Sequence, residues 1–342
     1  MTERLEELAR AVARELAMAD LAGGPGGGGR PGDGGQAGLG ERGAPPERHD
    51  RSAPAAARHH SIPTPIISLP DPAIASPPPG VTFVRANARI ADFIDHTLLK
   101  AEATATEIDR LCDEAREHRF AAVCVNPVWV RRAAVRLAGA PVQVATVIGF
   151  PLGANTPETK RREAALAVEQ GATELDMVAA IGHIRSGEWQ HVADDIAAVV
   201  DGAGGTLVKV ILETAALSPV EIIKACAIAR EMRAQYVKTS TGFHAAGGAT
   251  AEAVALMRLV VGDSMGVKAS GGVRDCEAAL KMIVNGATRI GTSSGVSMAK
   301  CLGPGPLPLH DLLSLVTQHS TGCATCSPEP RRGASTGGAG PY

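Results

Sequence analysis

The chain has 342 residues, 45% of them hydrophobic, and a formal net charge of −2 at pH 7. This length suits one large domain or two modest ones, and the charge gives no general attraction to nucleic acid or anionic membranes. No apolar run approaches the roughly 18 residues of a transmembrane helix. Seven scattered cysteines and a first segment without the apolar core of a signal peptide favour reduced thiols and a cytoplasmic protein.

The two ends of the chain differ in composition from the middle. Residues 1–80 are rich in Gly, Pro and Arg, and we expect them to be a low-complexity extension that buries too little apolar surface to fold. Within it, residues 3–20 fit a short amphipathic helix, because apolar residues recur there at helical spacing. Residues 319–342 have the composition of a flexible tail, so the predicted folded body covers residues 81–318.

Eight strand-like apolar runs alternate with helix-like segments in this body. The runs span residues 91–95, 121–125, 142–148, 173–178, 206–212, 236–240, 266–270 and 288–292. Several are apolar throughout, as expected of strands that helices cover on one face and that pack inside a barrel on the other. Eight strand–helix repeats predict an α/β protein with a closed (β/α)8 barrel, the TIM barrel. An open doubly wound sheet is the alternative, but no Gly-x-Gly-x-x-Gly fingerprint joins the first run to a helix.

Capping residues mark where the helices should begin. Ser, Thr and Asn accept hydrogen bonds from the first helical N–H groups, proline suits the first helical position, and early acids interact favourably with the helix dipole. The capping residues are Thr104 before Glu107, Asn126 before Pro127, Thr156 before Pro157, Ser218 before Pro219 and Glu221, and Thr250 before Glu252.

Three lysines lie near the ends of three consecutive strand-like runs. Lys209, Lys238 and Lys268 are separated by about one strand–helix–strand repeat, which places them on neighbouring strands of one sheet. Lysine is seldom buried, because removing an ammonium from water is costly. Burial and a second nearby ammonium both lower the pKa of a lysine, and a neutral lysine attacks carbonyl groups to form a Schiff base. An ion-paired lysine at the barrel rim is the alternative for any one of them, but three in succession favour chemistry.

Charged residues accompany these lysines at the predicted carboxyl ends of the strands, where TIM barrels carry function. Asp176 can accept a pair of lysines or move protons through a water, and a structural ion pair with Lys209 is the alternative. Glu213 lies four residues after Lys209, so it keeps the same strand parity and is expected to face the same interior and help balance that lysine. The remaining predicted strand-end residues are Asp95, Cys124 and Phe150.

Three loops rich in Gly and Ser follow the last strands. They span residues 239–242, 270–273 and 291–295. Glycines let backbone N–H groups approach an anion, and helix N-termini favour negative charge. Because the loops after strands seven and eight are the usual phosphate site of this barrel, we predict that they bind a phosphate group.

Other reactive side chains are interpreted as structural. His96 is expected to order a loop rather than catalyse, and Cys124 to be a small core residue, with a bystander thiol as the alternative. Cys323 and Cys326 have metal or redox spacing but no second ligand pair, which favours incidental cysteines. No group of His, Asp and Glu has convincing metal-ligand spacing.

Eight motifs, in order, resemble those of the deoxyribose-phosphate aldolase family over about residues 88–300. They are IDHTLLK (94–100), VCVNPVWV (123–130), VIGFPLG (147–153), ELDMV (174–178), KVILET (209–214), VKTSTGF (237–243), VKASGGVRD (267–275) and GTSSG (291–295). The resemblance implies a metal-independent class I aldolase without a cofactor. Such an enzyme cleaves 2-deoxy-D-ribose 5-phosphate to D-glyceraldehyde 3-phosphate and acetaldehyde.

The resemblance also implies residue roles. Lys238 is the Schiff-base lysine, Lys268 the cation that lowers its pKa, and Asp176 the proton-transfer residue, while Asp95 and Lys209 line the site. The matches to the substrate and phosphate region are Thr241, Gly242, Ser270, Gly271, Gly272, Ser293 and Ser294. The expected partners are a phosphosugar and an aldehyde rather than nucleic acid or membrane, and a homo-oligomer is compatible with the sequence.

Three alternatives stay open from the sequence. A Schiff-base aldolase of transaldolase or fructose-bisphosphate type would share the lysine and the phosphate loops. A non-catalytic phosphometabolite-binding barrel and an assembly scaffold built on the extension are the other two. The terminal Tyr342 ends a tail that could fold over the site.

Overall fold

The computed structural model describes residues 87–303, 305–308 and 311. The predictions for the extension, including the helix over residues 3–20, lie outside these described residues. So do the predictions for residues 319–342, with Cys323, Cys326 and Tyr342.

Eight parallel strands close into one barrel in chain order. They are β1 (Ile94–Leu98), β2 (Ala122–Val125), β3 (Gln143–Ile148), β4 (Glu174–Val178), β5 (Leu207–Ile211), β6 (Tyr236–Lys238), β7 (Gly266–Ser270) and β8 (Arg289–Thr292). The barrel closes where Ile94 of β1 pairs with Ile290 of β8. The predicted (β/α)8 architecture is therefore confirmed.

At least one helix follows each strand and covers the barrel. The helices are α1 (Ala105–His118), α2 (Val130–Arg136), α3 (Pro157–Glu169), α4 (Ile181–Ser186), α5 (Trp189–Gly202), α6 (Pro219–Glu231), α7 (Ala251–Val261), α8 (Cys276–Val284) and α9 (Gly295–Leu302). Two of them, α4 and α5, follow β4. A separate two-residue ladder joins Asn87–Ala88 to Leu307–Pro308. No helix within residues 87–303 is long and apolar enough to cross a membrane.

Four of the five predicted helix caps form as expected. The side chains of Thr104, Thr156, Ser218 and Thr250 each accept a hydrogen bond from a backbone N–H in the first turn of their helices. Asn126 differs, because its side-chain amide donates to the carbonyl oxygen of Leu99 at 3.1 Å. A 3-10 turn therefore follows Asn126, and α2 begins only at Val130.

The first strand begins later than predicted. Ile90–Phe93 forms a 3-10 turn in which the Asp92 carboxylate accepts hydrogen bonds from the backbone N–H and the guanidinium of Arg89. This local pairing holds the segment in a turn, so β1 starts at Ile94. Asp95 is consequently the second residue of β1, and the predictions that Asp95 ends the first strand and that His96 orders a loop were wrong.

The barrel interior is divided into an apolar part and a charged part. On β2 and β3 the inward side chains are small and apolar, and Ala122, Cys124, Ala145 and Val147 pack together with Leu99. The remaining strands carry the charged side chains described below, while the main apolar core includes residues of both the strands and the surrounding helices. The fold thereby confines the ionisable groups to one part of a closed interior.

Candidate active site

Three lysines converge on one aspartate inside the barrel. Asp176 of β4 accepts hydrogen bonds from Lys209 through Oδ1 at 2.7 Å, and from Lys238 and Lys268 through Oδ2 at 2.9 Å and 2.7 Å. In the strand register, Asp176 lies beside Lys209, and Lys238 lies beside Lys268. The spacing of the lysines along the chain thus places all three in contact with the predicted proton-transfer residue.

Two further acids extend this cluster away from Lys238. Asp95 Oδ2 lies 2.5 Å from Lys268 Nζ and 3.7 Å from Lys209 Nζ. Glu174 Oε2 lies 2.6 Å from Lys209 Nζ. Lys209 and Lys268 are therefore each shared between acids, whereas Lys238 pairs, among the described residues, with Asp176 alone.

Glu174 and Arg289 also belong to the cluster, although neither was among the site residues predicted from the sequence. Arg289 bonds to Asp95 through Nη1 and to Glu174 through Nη2, the latter at 2.8 Å. Both residues lie at the first positions of their strands. Strand parity was the available signal, because Glu174 precedes Asp176 by two residues and so points to the same face.

The cluster separates the pKa values of its lysines. Burial lowers the pKa of Lys238, and the neighbouring Lys268 ammonium lowers it further, against the opposing pull of Asp176. Burial opposes the charged form of Lys268 as well, but Asp176 and Asp95 outweigh it and raise its pKa well above the usual value. Asp176 and Glu174 raise the pKa of Lys209 in the same way. Lys238 is thus the lysine of the three that loses its proton most easily.

Asp176 stays ionised in this environment. Burial by itself raises the pKa of a carboxyl, but the three ammonium groups hold that of Asp176 well below its usual range. A carboxylate of this kind is a weak base that anchors amines. It can relay a proton through a water, but it does not retain one.

Lys238 is also the accessible lysine of the cluster. Its side chain is 3% exposed, whereas those of Lys209 and Lys268 are fully buried. Lys238 is the last residue of β6, so the loop at the carboxyl end of that strand follows it directly. Of the three amines, that of Lys238 therefore belongs to the side chain with some exposure.

The three Gly/Ser loops are bonded into one rim at the carboxyl end of the barrel. Ser270 Oγ donates to the carbonyl oxygen of Ser240 at 2.7 Å, which joins the β6 and β7 loops. Thr292 Oγ1 donates to the carbonyl oxygen of Val273 at 2.7 Å, which joins the β7 and β8 loops. The structure therefore brings the predicted phosphate-binding residues together, but the Ser270 hydroxyl is already used within the fold.

Several rim residues have the geometry and exposure that an anion site requires. Gly242, Gly271 and Gly272 have φ angles of 85°, 84° and 81°, values that L side chains rarely adopt. Gly272 and Ser293 are exposed, and Gly242 and Ser294 are half-buried. Their backbone and hydroxyl groups can be reached from solvent, as a bound phosphate would need.

Glu213 supports the rim and not the lysine cluster, contrary to the prediction. It follows β5 with a left-handed φ of 58°, which redirects its side chain. Its carboxylate accepts hydrogen bonds from the backbone N–H and hydroxyl of Thr241, at 3.2 Å and 2.5 Å. Thr241 is thereby held in place, and its hydroxyl in turn accepts a bond from Phe243 N at 3.0 Å.

Cys124 is the small core residue that was predicted, whereas His96 ties a strand to a helix and does not order a loop. Cys124 is fully buried in the apolar part of the interior, and burial raises the pKa of its thiol, which keeps it protonated. His96 Nε2 bonds to Glu114 of α1 at 2.7 Å, and the imidazole contacts Phe120 between the strand and helix layers. Within the described residues, no group of three or more His, Cys, Asp or Glu side chains could hold a metal ion.

The fold and this cluster define a (β/α)8 barrel with three buried lysines gathered around one aspartate. A family model described as DeoC/LacD family aldolase matches residues 89–300, which is more than half of the chain. The chain belongs to the DeoC/LacD family of aldolases, and it is an enzyme.

Individual relatives agree with the family model. The chain is 58% identical over 216 residues to a deoxyribose-phosphate aldolase of Brevibacillus brevis, an alignment that covers 62% of this chain and 97% of the relative. It is 54% identical over 220 residues to the deoxyribose-phosphate aldolase of Thermotoga maritima, covering 64% and 88%. A tetrameric deoxyribose phosphate aldolase from Aeropyrum pernix superposes with a TM-score of 0.58 at 34% identity, covering 62% and 89%.

Proposed function

We propose that this aldolase cleaves 2-deoxy-D-ribose 5-phosphate to D-glyceraldehyde 3-phosphate and acetaldehyde through a Schiff base on Lys238. The substrate class comes from the relatives, which carry the name deoxyribose-phosphate aldolase at 54% to 58% identity. One structural observation supports the role of Lys238 above the others. Lys238 and Lys268 share the same oxygen of Asp176, and burial and the charge of Lys268 lower the pKa of Lys238.

The first half of the reaction builds the electron sink. The neutral amine of Lys238 attacks the C1 aldehyde of the open-chain sugar and gives a carbinolamine. The loss of water from this adduct leaves an iminium ion, in which nitrogen carries one positive charge.

The second half breaks the carbon–carbon bond. A proton leaves the C3 hydroxyl, the C2–C3 electron pair moves into the iminium, and D-glyceraldehyde 3-phosphate departs. The remaining neutral enamine is protonated at C2, and hydrolysis of the resulting iminium releases acetaldehyde and restores the Lys238 amine.

The neighbouring charges assist these steps without forming covalent bonds. Asp176 is proposed to relay the proton from the C3 hydroxyl through a water, since its ion pairs make it too weak a base to hold that proton. Lys268 stays protonated, and its charge opposes protonation of Lys238. Asp95 and Lys209 line the site by holding Lys268 and Asp176 in position.

The phosphate of the substrate is assigned to the rim formed by the three Gly/Ser loops. The residues proposed to face it are Thr241, Gly242, Ser270, Gly271, Gly272, Ser293 and Ser294. Ser293 and Ser294 lead into the N-terminus of α9, where the positive end of the helix dipole favours an anion. Ser270 and Thr241 contribute by shaping the loops, because their hydroxyls are bonded within the protein.

The proposed reaction needs no metal and no cofactor. We also propose that the enzyme works in the cytoplasm as a homo-oligomer. The tetrameric Aeropyrum pernix relative supports an oligomer.

Trapping the Schiff base tests the proposal directly. The protein is incubated with 2-deoxy-D-ribose 5-phosphate or acetaldehyde, reduced with borohydride, digested and analysed by mass spectrometry. The expected result is one reduced adduct on Lys238, absent from Lys238→Met and unchanged by prior treatment with a metal chelator. Labelling at Lys209 or Lys268 in place of Lys238, or no labelling, would contradict the mechanism.

A further inference from the structure

Arg289 lies on the far side of the charged cluster from the substrate entrance. It is the first residue of β8, and its side chain is 13% exposed. Its guanidinium bonds to Asp95 and Glu174 and lies 6.0 Å from the centroid of the Tyr236 ring. Gly266 leaves space for that ring, because a Cβ there would lie 2.0 Å from Tyr236 Cε1. Packing on several sides thus holds the guanidinium in one position.

Asp95 connects Arg289 to the lysines through its two carboxylate oxygens. Oδ1 bonds to Arg289, and Oδ2 contacts Lys268 at 2.5 Å. Glu174 does the same for Lys209, with Oε1 on Arg289 at 2.8 Å and Oε2 on Lys209 at 2.6 Å. Because Arg289 takes up part of the negative charge of both acids, less of that charge neutralises Lys268 and Lys209.

The described cluster contains four bases and three acids. The bases are Lys209, Lys238, Lys268 and Arg289, and the acids are Asp95, Glu174 and Asp176. With all groups ionised, one positive charge is in excess in a buried space, where unbalanced charge is costly. A guanidinium does not lose its proton in a protein, so the excess can be removed only at a lysine.

We propose that Arg289 and Glu174 are positioning residues that set the protonation state of Lys238 from the opposite end of the barrel. The permanent charge of Arg289 gives the cluster its excess positive charge, and Lys238 relieves that excess by giving up its proton. Lys209 and Lys268 each contact two or more acids and keep theirs. Glu174 acts in the opposite direction, since its carboxylate reduces the excess.

The same excess charge acts during the reaction. The iminium on Lys238 is cationic and the enamine that follows is neutral. Moving the C2–C3 electron pair into the iminium therefore removes the charge that Arg289 makes unfavourable. The inference rests on the proposed function, because it assigns Lys238 as the nucleophile.

Several charged or titratable groups on the surrounding strands act on Lys238 and Arg289. Asp176, Lys268 and the protonated Cys124 influence the pKa of Lys238. Asp95, Glu174 and Tyr236 influence that of Arg289, with Lys209 between the two groups. Arg289 is joined to Lys268 and Lys209 through the acids Asp95 and Glu174, so its effect on Lys238 is carried by those shared acids and by the electrostatic field of its charge.

Two single substitutions give opposite expectations. In Arg289→Gln the bases and acids balance with every lysine protonated, so the acidic limb of the pH profile of kcat/KM for 2-deoxy-D-ribose 5-phosphate should move up by about one pH unit. In Glu174→Gln the excess charge grows, so the limb should move down by a similar amount. The double variant should return near the unmodified profile, and Arg289→Lys, which keeps a cation there, should shift the limb less than Arg289→Gln.

Opposite shifts separate a charge effect from damage to the fold. Loss of packing would lower kcat/KM in both single variants without moving their limbs in opposite directions. Shifts in one direction only, or no shift in either variant, overturn the inference. If Arg289→Gln does not fold, judged by circular dichroism, Glu174→Gln decides alone, and an unchanged or raised limb overturns it.

Borohydride labelling separates a wrong role for Arg289 from a wrong proposed function. Borohydride labelling of the unmodified enzyme at Lys238 establishes the nucleophile regardless of any pH shift. Labelling at Lys238 with unmoved limbs in both variants would leave the aldolase mechanism intact and reject the role of Arg289.

Discussion

Replacing Lys268 with methionine should make Lys238 a markedly weaker nucleophile at neutral pH. The two Nζ atoms contact the same oxygen of Asp176 at 2.7 Å and 2.9 Å, so they lie within about 5.6 Å of each other. At about 5 Å and an effective dielectric constant of about 20, two unit charges repel by roughly 3 kcal/mol, which corresponds to about two pKa units. Removing the Lys268 charge should therefore raise the pKa of Lys238 by up to about two units.

The assay is the pH dependence of kcat/KM in the direction of cleavage. A neutral amine is the reactive form, and its fraction falls tenfold for each unit by which its pKa rises further above the assay pH. We expect Lys268→Met to lose on the order of 100-fold in kcat/KM at pH 7 and to regain much of this loss as the pH is raised. The rate of borohydride labelling of Lys238 by acetaldehyde should follow the same pH dependence.

Lys209→Met is the matched control. Lys209 contacts Oδ1 of Asp176, and its amine is fully buried like that of Lys268. Its substitution leaves a similar defect but removes a charge bound to the other oxygen, so a smaller upward shift is expected. If Lys268→Met reduced activity equally at all pH values, Lys268 would be needed for geometry and not for its charge.

Two further predictions concern the packing around the site. Lys160 and Asp195 form an ion pair at 2.7 Å with both side chains fully buried, so Lys160→Met should lower the free energy of unfolding in urea by about 3–5 kcal/mol. The double variant Lys160→Met/Asp195→Leu should recover most of that loss, because it leaves no unpaired buried charge. Equal loss in both variants would show that the unpaired charge is not the cause. Gly291→Ala would place a Cβ 2.9 Å from Ser270 Cβ and 3.0 Å from Lys268 Cε, so kcat should fall at least about tenfold through displacement of these side chains, with the destabilisation limited to about 1–3 kcal/mol. Gly182→Ala, whose Cβ would meet nothing within 4 Å, serves as the control, and wild-type kcat in Gly291→Ala would refute the steric argument.

Most of the architecture could be predicted from local patterns. Apolar runs and capping residues are local properties, and seven of the eight predicted runs match barrel strands to within about two residues at each end. The start of the first strand was wrongly predicted because the Arg89–Asp92 pair closes a turn that the apolar residues of this segment do not indicate. Asn126 failed as a cap because its amide bonds to a carbonyl 27 positions away in the sequence.

The candidate site was only partly predictable. Lys209, Lys238 and Lys268 were found because their spacing matches the repeat of the fold. Asp95 was named from a misplaced strand end and again from the family resemblance. Glu174 and Arg289 were missed because charged residues at strand starts are usually solvated. The direction of the Glu213 side chain was wrongly predicted, because a left-handed φ at a residue other than glycine is not indicated by the sequence.

Local sequence patterns are enough to predict the barrel, the positions of the three lysines on neighbouring strands and the glycine-rich loops that follow them. These depend on hydrophobic period, capping chemistry and repeat length, all of which are local. The family resemblance implies Lys238 as the Schiff-base lysine, but the environments of the three lysines differ only once the chain is folded. That difference depends on which acids each ammonium touches and how completely each is buried, and strands far apart in the chain supply those acids. Within the described part of the chain, Lys238 has one carboxylate partner and is slightly exposed, while Lys268 and Lys209 share the remaining acids with Arg289.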